Sequence, residues 1–215
     1  MTFQNLSDVI TSMKQWENIR NNPSGVVNYL TLGNHITFIK NKKAKAVHVY
    51  PGVSKENNEL YFFLIDKEQD IQQSDADLFN AITICKADLK NLSALNTQEN
   101  TPGNSADEIS EAEARVRTQD WDRNYADWAQ KQITLTTDGI FKAFYMPANY
   151  MAEGSEYESF LALKPNSQSP TLYDADIVTT FTDNGKTTYY DTVRPVPPYG
   201  QGDYSQNNFY LLQLV

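Results

Sequence analysis

A chain of 215 residues, 40% hydrophobic and 21% charged, is long enough to bury a core and too apolar to stay disordered. Its formal net charge of −9 opposes phosphate backbones and anionic lipid heads, so neither nucleic acid nor membrane is an expected partner. With two histidines, one cysteine and no Gly-rich phosphate loop, paired-cysteine spacing or HExxH motif, no metal site and no cofactor is expected.

A lone cysteine forms no intrachain disulfide, so the fold does not depend on an oxidising compartment. The first residues, Met1-Thr2-Phe3-Gln4-Asn5, lack the basic and apolar segments of a signal peptide. The longest apolar run, Leu60 to Ile65, is too short to span a bilayer. These features together predict a cytoplasmic protein. Aromatic residues at 12%, with 13 tyrosines, favour a β-rich fold.

Leu6, Val9, Ile10, Met13 and Trp16 recur at helical spacing and predict an amphipathic helix over 6–21, which Asn21-Asn22-Pro23-Ser24-Gly25 ends. Strand-like runs follow at 26–32, 35–40, 45–50 and 59–65. In the third, His48 and Tyr50 share one face and Val47 and Val49 the other; the fourth is apolar on both faces and reads as a central strand. Over 75–90, Leu78, Ile82, Cys85 and Leu89 favour a helix with Ser74 and Asp77 at its cap, whereas Ile82-Thr83-Ile84 favours a strand; the helix is preferred.

Residues 93–106 are polar, aperiodic and carry a Pro-Gly turn, and so read as a linker between units at 1–92 and 107–215. Two capping boxes, Ser105 with Glu108 and Ser110 with Glu113, then start a helix. Its apolar stripe changes phase between Ile109/Ala112/Val116 and Trp121/Tyr125/Trp128, which predicts either a break near Thr118 or packing on two sides. Strands are expected at 139–146, 157–163, 176–182, 187–193 and 207–214. Asn184-Gly185 predicts a type I′ turn that pairs Asp183 with Lys186 and Phe181 with Thr188, and gathers Ile177, Phe181 and Tyr190 on one face. The expected class is α+β, antiparallel sheets with a few amphipathic helices. Because each half opens with a Trp-bearing helix, two similar subdomains are expected.

Ile109-Ser-Glu-Ala-Glu-Ala-Arg115, running through Trp121 to Lys142-Ala-Phe-Tyr-Met-Pro147, and Val47-His-Val-Tyr-Pro-Gly52 followed by Asn58-Glu-Leu-Tyr-Phe-Phe-Leu-Ile65, resemble stretches of uncharacterised proteins of the Bacteroidetes type. Together they cover about a third of the chain. The resemblance implies a bacterial cytosolic α+β protein and transfers no functional residue.

His48 has the pKa for acid–base work, with Tyr50 beside it on the strand. Its expected hairpin neighbours, Phe62 or Phe63, offer no carboxylate to orient the ring, so a structural role is preferred over catalysis. His35 reads as a turn residue and Cys85 as a core residue. Asp120 and Asp122 point apart on a helix and make no metal site, and Asp120 suits a helix cap. Glu153, Glu156 and Glu158 read as a charged loop, and Lys40, Lys42, Lys43 and Lys45 as a solvated hairpin tip. The segment Arg194-Pro195-Val196-Pro197-Pro198-Tyr199-Gly200-Gln201-Gly202-Asp203-Tyr204 is either a rigid crossover or a partner loop, with Pro197, Pro198, Tyr199 and Tyr204 as contacts. The expectation is a non-catalytic binding or assembly protein that meets a protein partner or a second copy through an aromatic, acidic surface. The alternative is a small hydrolase or small-molecule enzyme using carboxylates with His48 and Tyr50.

Overall fold

Asn5 is extended and accepts the Asp8 amide at 3.2 Å, which starts helix α1 (Leu6–Ile19) where the apolar period begins. A computed structural model describes residues 2–40, 44–92, 108–137, 139–166, 173–191, 193–197 and 205–215. Residues 26–32 are not a strand. Pro23 occupies the first position of a second helix, α2 (Pro23–Leu30), where its missing N–H costs nothing, and the Asn22 side chain accepts from Gly25 N. Val26 and Leu30, one turn apart, are the buried pair.

The strands form two antiparallel five-stranded sheets. Sheet A orders β1 (His35–Ile39), β7 (Glu156–Pro165), β8 (Tyr173–Asp183), β9 (Lys186–Tyr190) and β5 (Glu108–Ile109). Sheet B orders β10 (Arg194–Val196), β6 (Ala143–Pro147), β2 (Ala46–Ser54), β3 (Glu59–Asp66) and β4 (Thr83–Lys86). The architecture is therefore α+β. The units 1–92 and 107–215 do not hold separate sheets: β1 joins sheet A through β7, and β6 and β10 join sheet B through β2. Residues 93–106, the expected linker, lie outside the described residues.

The largest core lies between the sheets. Ile36, Phe38, Tyr157, Leu161 and Ile177 of sheet A meet Val47, Val49, Phe62, Leu64 and Phe144 of sheet B there, together with Trp16, Trp121 and Trp128. As expected of a strand apolar on both faces, β3 sends Leu60, Phe62 and Leu64 into that core and Tyr61, Phe63 and Ile65 into a second one. The second core packs sheet B against α1 and helix α3 (Asp75–Ala81). Gly52 allows α1 its approach, since a Cβ there would meet Ser12 Oγ at 2.6 Å and the Phe63 ring at 2.5 Å.

Helix α4 (Glu111–Leu135) is unbroken and capped by Ser110, whose side chain accepts from Glu113 N at 3.1 Å; Ser105 is outside the described residues. Its phase puzzle has a third answer. Val116 and Ala112 are exposed, and the buried stripe runs Ala114, Arg117, Thr118, Trp121, Trp128. An arginine and a threonine stand where an apolar period would be sought. Asp120 is inside this helix rather than at a cap.

Asn184 and Gly185 take φ of +50° and +79°, and Asp183 pairs with Lys186 and Phe181 with Thr188, as the turn chemistry dictates. Ile177 and Phe181 do turn to the central core, while Tyr190 is buried against Tyr150 with ring centroids 3.9 Å apart. Residues 75–90 divide between the two readings: Ser74 caps α3, which ends at Ala81, and β4 starts at Thr83. The carboxyl end is not a strand. It is a 3₁₀ turn at Gln206–Asn208 and a short helix, α5 (Tyr210–Gln213), that places Phe209 and Leu211 in the core of α1 and sheet B.

Candidate functional site

His48 sits mid-strand in β2, opposite Ile65 of β3 and Tyr145 of β6 rather than Phe62 or Phe63. Its ring does meet a carboxylate. Asp70, just past the turn that follows β3, places Oδ2 2.6 Å from His48 Nδ1 and accepts from the Tyr50 hydroxyl on the same oxygen. The other oxygen accepts Leu211 N at 3.2 Å. Phe209 stacks over the imidazole, with centroids 4.0 Å apart and planes 21° from parallel. Both His48 and Tyr50 are fully buried. Burial, and next the Asp70 charge, push the Tyr50 hydroxyl well above its ordinary range, so it stays protonated and donates. His48 Nε2 has no hydrogen-bond partner among the described residues. The cluster orients an imidazole as a general base would be oriented, but under a lid of Phe209 that shuts out a substrate.

The sequence offered no reason to pair His48 with Asp70, 22 residues on and across a turn. Three acids, Asp66, Glu68 and Asp70, follow the all-apolar run within five residues, and no local pattern singles out Asp70.

His35 is not a turn residue. It opens β1, is buried, and places Nδ1 2.5 Å from Asp88 Oδ1, with Phe160 beside the ring at 4.7 Å. Its Nε2 lies 3.7 Å from Glu158, which also pairs with Lys90. Lys40 is not at a solvated tip either; it is 3% exposed and ion-paired with Asp66, while Lys45 is exposed and Lys42 and Lys43 are outside the described residues. Burial pushes the Cys85 thiol up to about 12, which leaves no thiolate at neutral pH. Asp122 accepts from Asn34 Nδ2 at 2.8 Å, and Glu153 and Glu156 are exposed.

A second charged cluster was hidden by the apolar pattern around it. Arg117 of α4 reaches across the outer face of sheet A, placing Nη1 3.2 Å from Asp176 of β8 and 2.5 Å from Asp191, with Glu113 on its Nη2. Lys164 of β7 reaches Asp191 at 2.6 Å. Burial, and next the Asp191 charge, raise the Asp176 carboxyl to about 7. Burial also opposes the Asp191 charge, but the bonds from Lys164 and Arg117 outweigh it and hold that carboxyl below its ordinary value. The signal was period two: Asp174 and Asp176 take alternate places in a strand whose next residue on that face is Val178.

This cluster opens onto a cleft of about 220 Å³ lined by Lys164, Asp174, Asp176, Arg194 and Pro195. Asn166 holds Asp174 through its amide at 3.0 Å. Arg194 Nη1 donates to the neighbouring carbonyl of Val193 at 2.9 Å, and its guanidinium meets no carboxylate among the described residues. Pro197 is buried and lines a small cavity together with Trp128, Ile140 and Phe141. Pro198, Tyr199 and Tyr204 lie outside the described residues. A smaller cleft of about 100 Å³ lies between β1 and α3, and there Lys40 and Asp66 satisfy each other.

Among the described residues no group of three His, Cys, Asp or Glu side chains is placed to hold a metal ion, and no helix is long and apolar enough to cross a membrane. No protein-family model, curated protein or solved structure matches the chain.

Proposed function

We propose that the protein is a non-catalytic binding protein whose ligand site is the cleft between the ends of β7 and β8 and strand β10. One observation carries this reading: charged side chains of both signs converge on that cleft, while His48 and Tyr50 are sealed at 0% exposure. The cleft is smaller than the ~300–1,000 Å³ pockets that take drug-sized compounds, which favours a small polar ligand. Buried Pro195 fixes one wall, consistent with a preformed site.

A thermal-shift screen of metabolites tests it, run side by side on the native protein and Arg194→Gln. A ligand at a hundred times its Kd stabilises the folded state by about 2.7 kcal/mol. The expected outcome is a compound that raises the melting temperature of the native protein and not of the variant. A shift of equal size in both would move the site elsewhere.

One observation favours a second reading, the hydrolase. His48 Nδ1 lies 2.6 Å from Asp70, the carboxylate that orients a general base. That reading requires Phe209 to leave the imidazole face.

A further inference from the structure

We infer that the cleft takes a small zwitterion, a ligand carrying an ammonium and a carboxylate group, with Asp174 and Asp176 receiving the ammonium and Arg194 the carboxylate. This rests on the cleft being the ligand site. Its lining explains why a single charge would serve poorly: a cation meets Lys164 and Arg194, and an anion meets Asp174 and Asp176. A dipolar ligand satisfies both. At the positive end, Lys164 is already engaged by Asp191, whereas Arg194 spends one donor on the Val193 carbonyl and among the described residues keeps the rest of its planar fork, a shape matched to a carboxylate. At the negative end, Asp174 and Asp176 alternate along β8 and so project to the same face of the sheet, 2% of the Asp176 side chain being exposed.

Asp176 also shows what the empty arrangement lacks. Arg117 is shared among Asp176, Asp191 and Glu113, and Lys164 serves Asp191, so the two cations cannot neutralise every carboxylate packed around them. Burial, with the Asp191 charge next, therefore prevails over Lys164 and Arg117, and Asp176 holds a proton up to about pH 7. An ammonium arriving beside it favours the ionised form and displaces that proton. Binding should therefore release a proton near neutral pH and strengthen as pH rises through 7. One pH unit below the transition the affinity should be about tenfold weaker than at its plateau.

The experiment is titration calorimetry of the full chain with alanine, glutamate and lysine, each matched by the acid lacking its amino group and the amine lacking its carboxylate. Repeating it in two buffers of different ionisation enthalpy reads the proton release. Expected are binding by at least one amino acid, about tenfold or greater weakening of both matched analogues, a similar loss in Arg194→Gln, and loss of the pH dependence in Asp176→Asn. If an acid or an amine binds as tightly as its amino acid and Arg194→Gln still weakens it, the zwitterion is overturned and the cleft stands as the site. If nothing in the panel binds up to about 10 mM, the zwitterion is overturned. If compounds bind with Arg194→Gln and Asp176→Asn both indifferent, the cleft fails with it.

Discussion

Two clusters in this molecule use the same chemistry to opposite ends. Around Asp70, one carboxylate serves a histidine, a tyrosine and a backbone amide, and nothing in the group touches water. Around Asp176, three carboxylates (Asp176, Asp191 and Glu113) share an arginine and a lysine, and the group borders a cleft. The first has one acceptor matched to its donors. The second carries more acid than its cations satisfy, and burial, with the Asp191 charge next, leaves Asp176 holding a proton. A perturbed carboxyl beside an opening has something left to do; a fully bonded one in a dry core holds the fold together.

The largest effect should come from the closed cluster. Asp70→Ala strands the His48 Nδ1, the Tyr50 hydroxyl and the Leu211 amide in a core that water does not reach. Removing one partner of such a buried set costs about 3–5 kcal/mol. At about 2–4 °C per kcal/mol for a domain of this size, the melting temperature should fall by roughly 10 °C or more. Urea unfolding gives the number. A loss below about 1 kcal/mol would mean that the carboxyl-terminal segment stays docked by its apolar residues alone, and the contrast between the clusters would collapse.

A middle-sized effect should separate the clusters by pH. Asp176 titrates at about 7 in the folded protein against an ordinary value of 3.8. Its pKa is raised on folding, so its contribution is complete below pH 3.8 and disappears as pH climbs through 7. Asp176→Asn cannot lose what it no longer titrates. Relative to the native protein, the variant should gain about 2–3 kcal/mol between pH 5 and pH 8, most of it below pH 7 at ~1.4 kcal/mol per pH unit for one group. Parallel stability profiles for the two proteins would show that Asp176 is ionised throughout.

Both clusters were poorly legible in the sequence, for one physical reason. Local pattern reports periodicity, and it reported β3, the Asn184-Gly185 hairpin and α1 correctly because each is decided by neighbours within a few residues. Asp70, Arg117, Asp176 and Asp191 find partners tens of residues away, and no local pattern encodes that distance. Pro23 misled for a related cause. It ends α1 and also starts α2, and only the Asn22 side chain bonded to Gly25 N distinguishes a helix start from a strand start. The phase change in α4 arises when apolar residues alone mark the stripe, which leaves out Arg117. It is buried, and counting it as core restores a single stripe.

The smallest effect is the sharpest test of the open cluster. Arg194 is half-buried on edge strand β10, and among the described residues its guanidinium bonds only the carbonyl of Val193. The backbone pairing of β10 with β6, Arg194 opposite Tyr145, needs no particular side chain. Arg194→Gln should therefore change stability by no more than about 0.5 kcal/mol in the absence of ligand, as for surface positions outside any network. Arg117→Gln, by contrast, removes a guanidinium from two buried carboxylates and should cost several times more. A cation at the rim of a cleft of mixed charge that contributes nothing to folding is what the proposed ligand site requires. Should Arg194→Gln prove as destabilising as Arg117→Gln, Arg194 belongs to the ion-pair network, and the cleft loses the free cation on which its ligand depends.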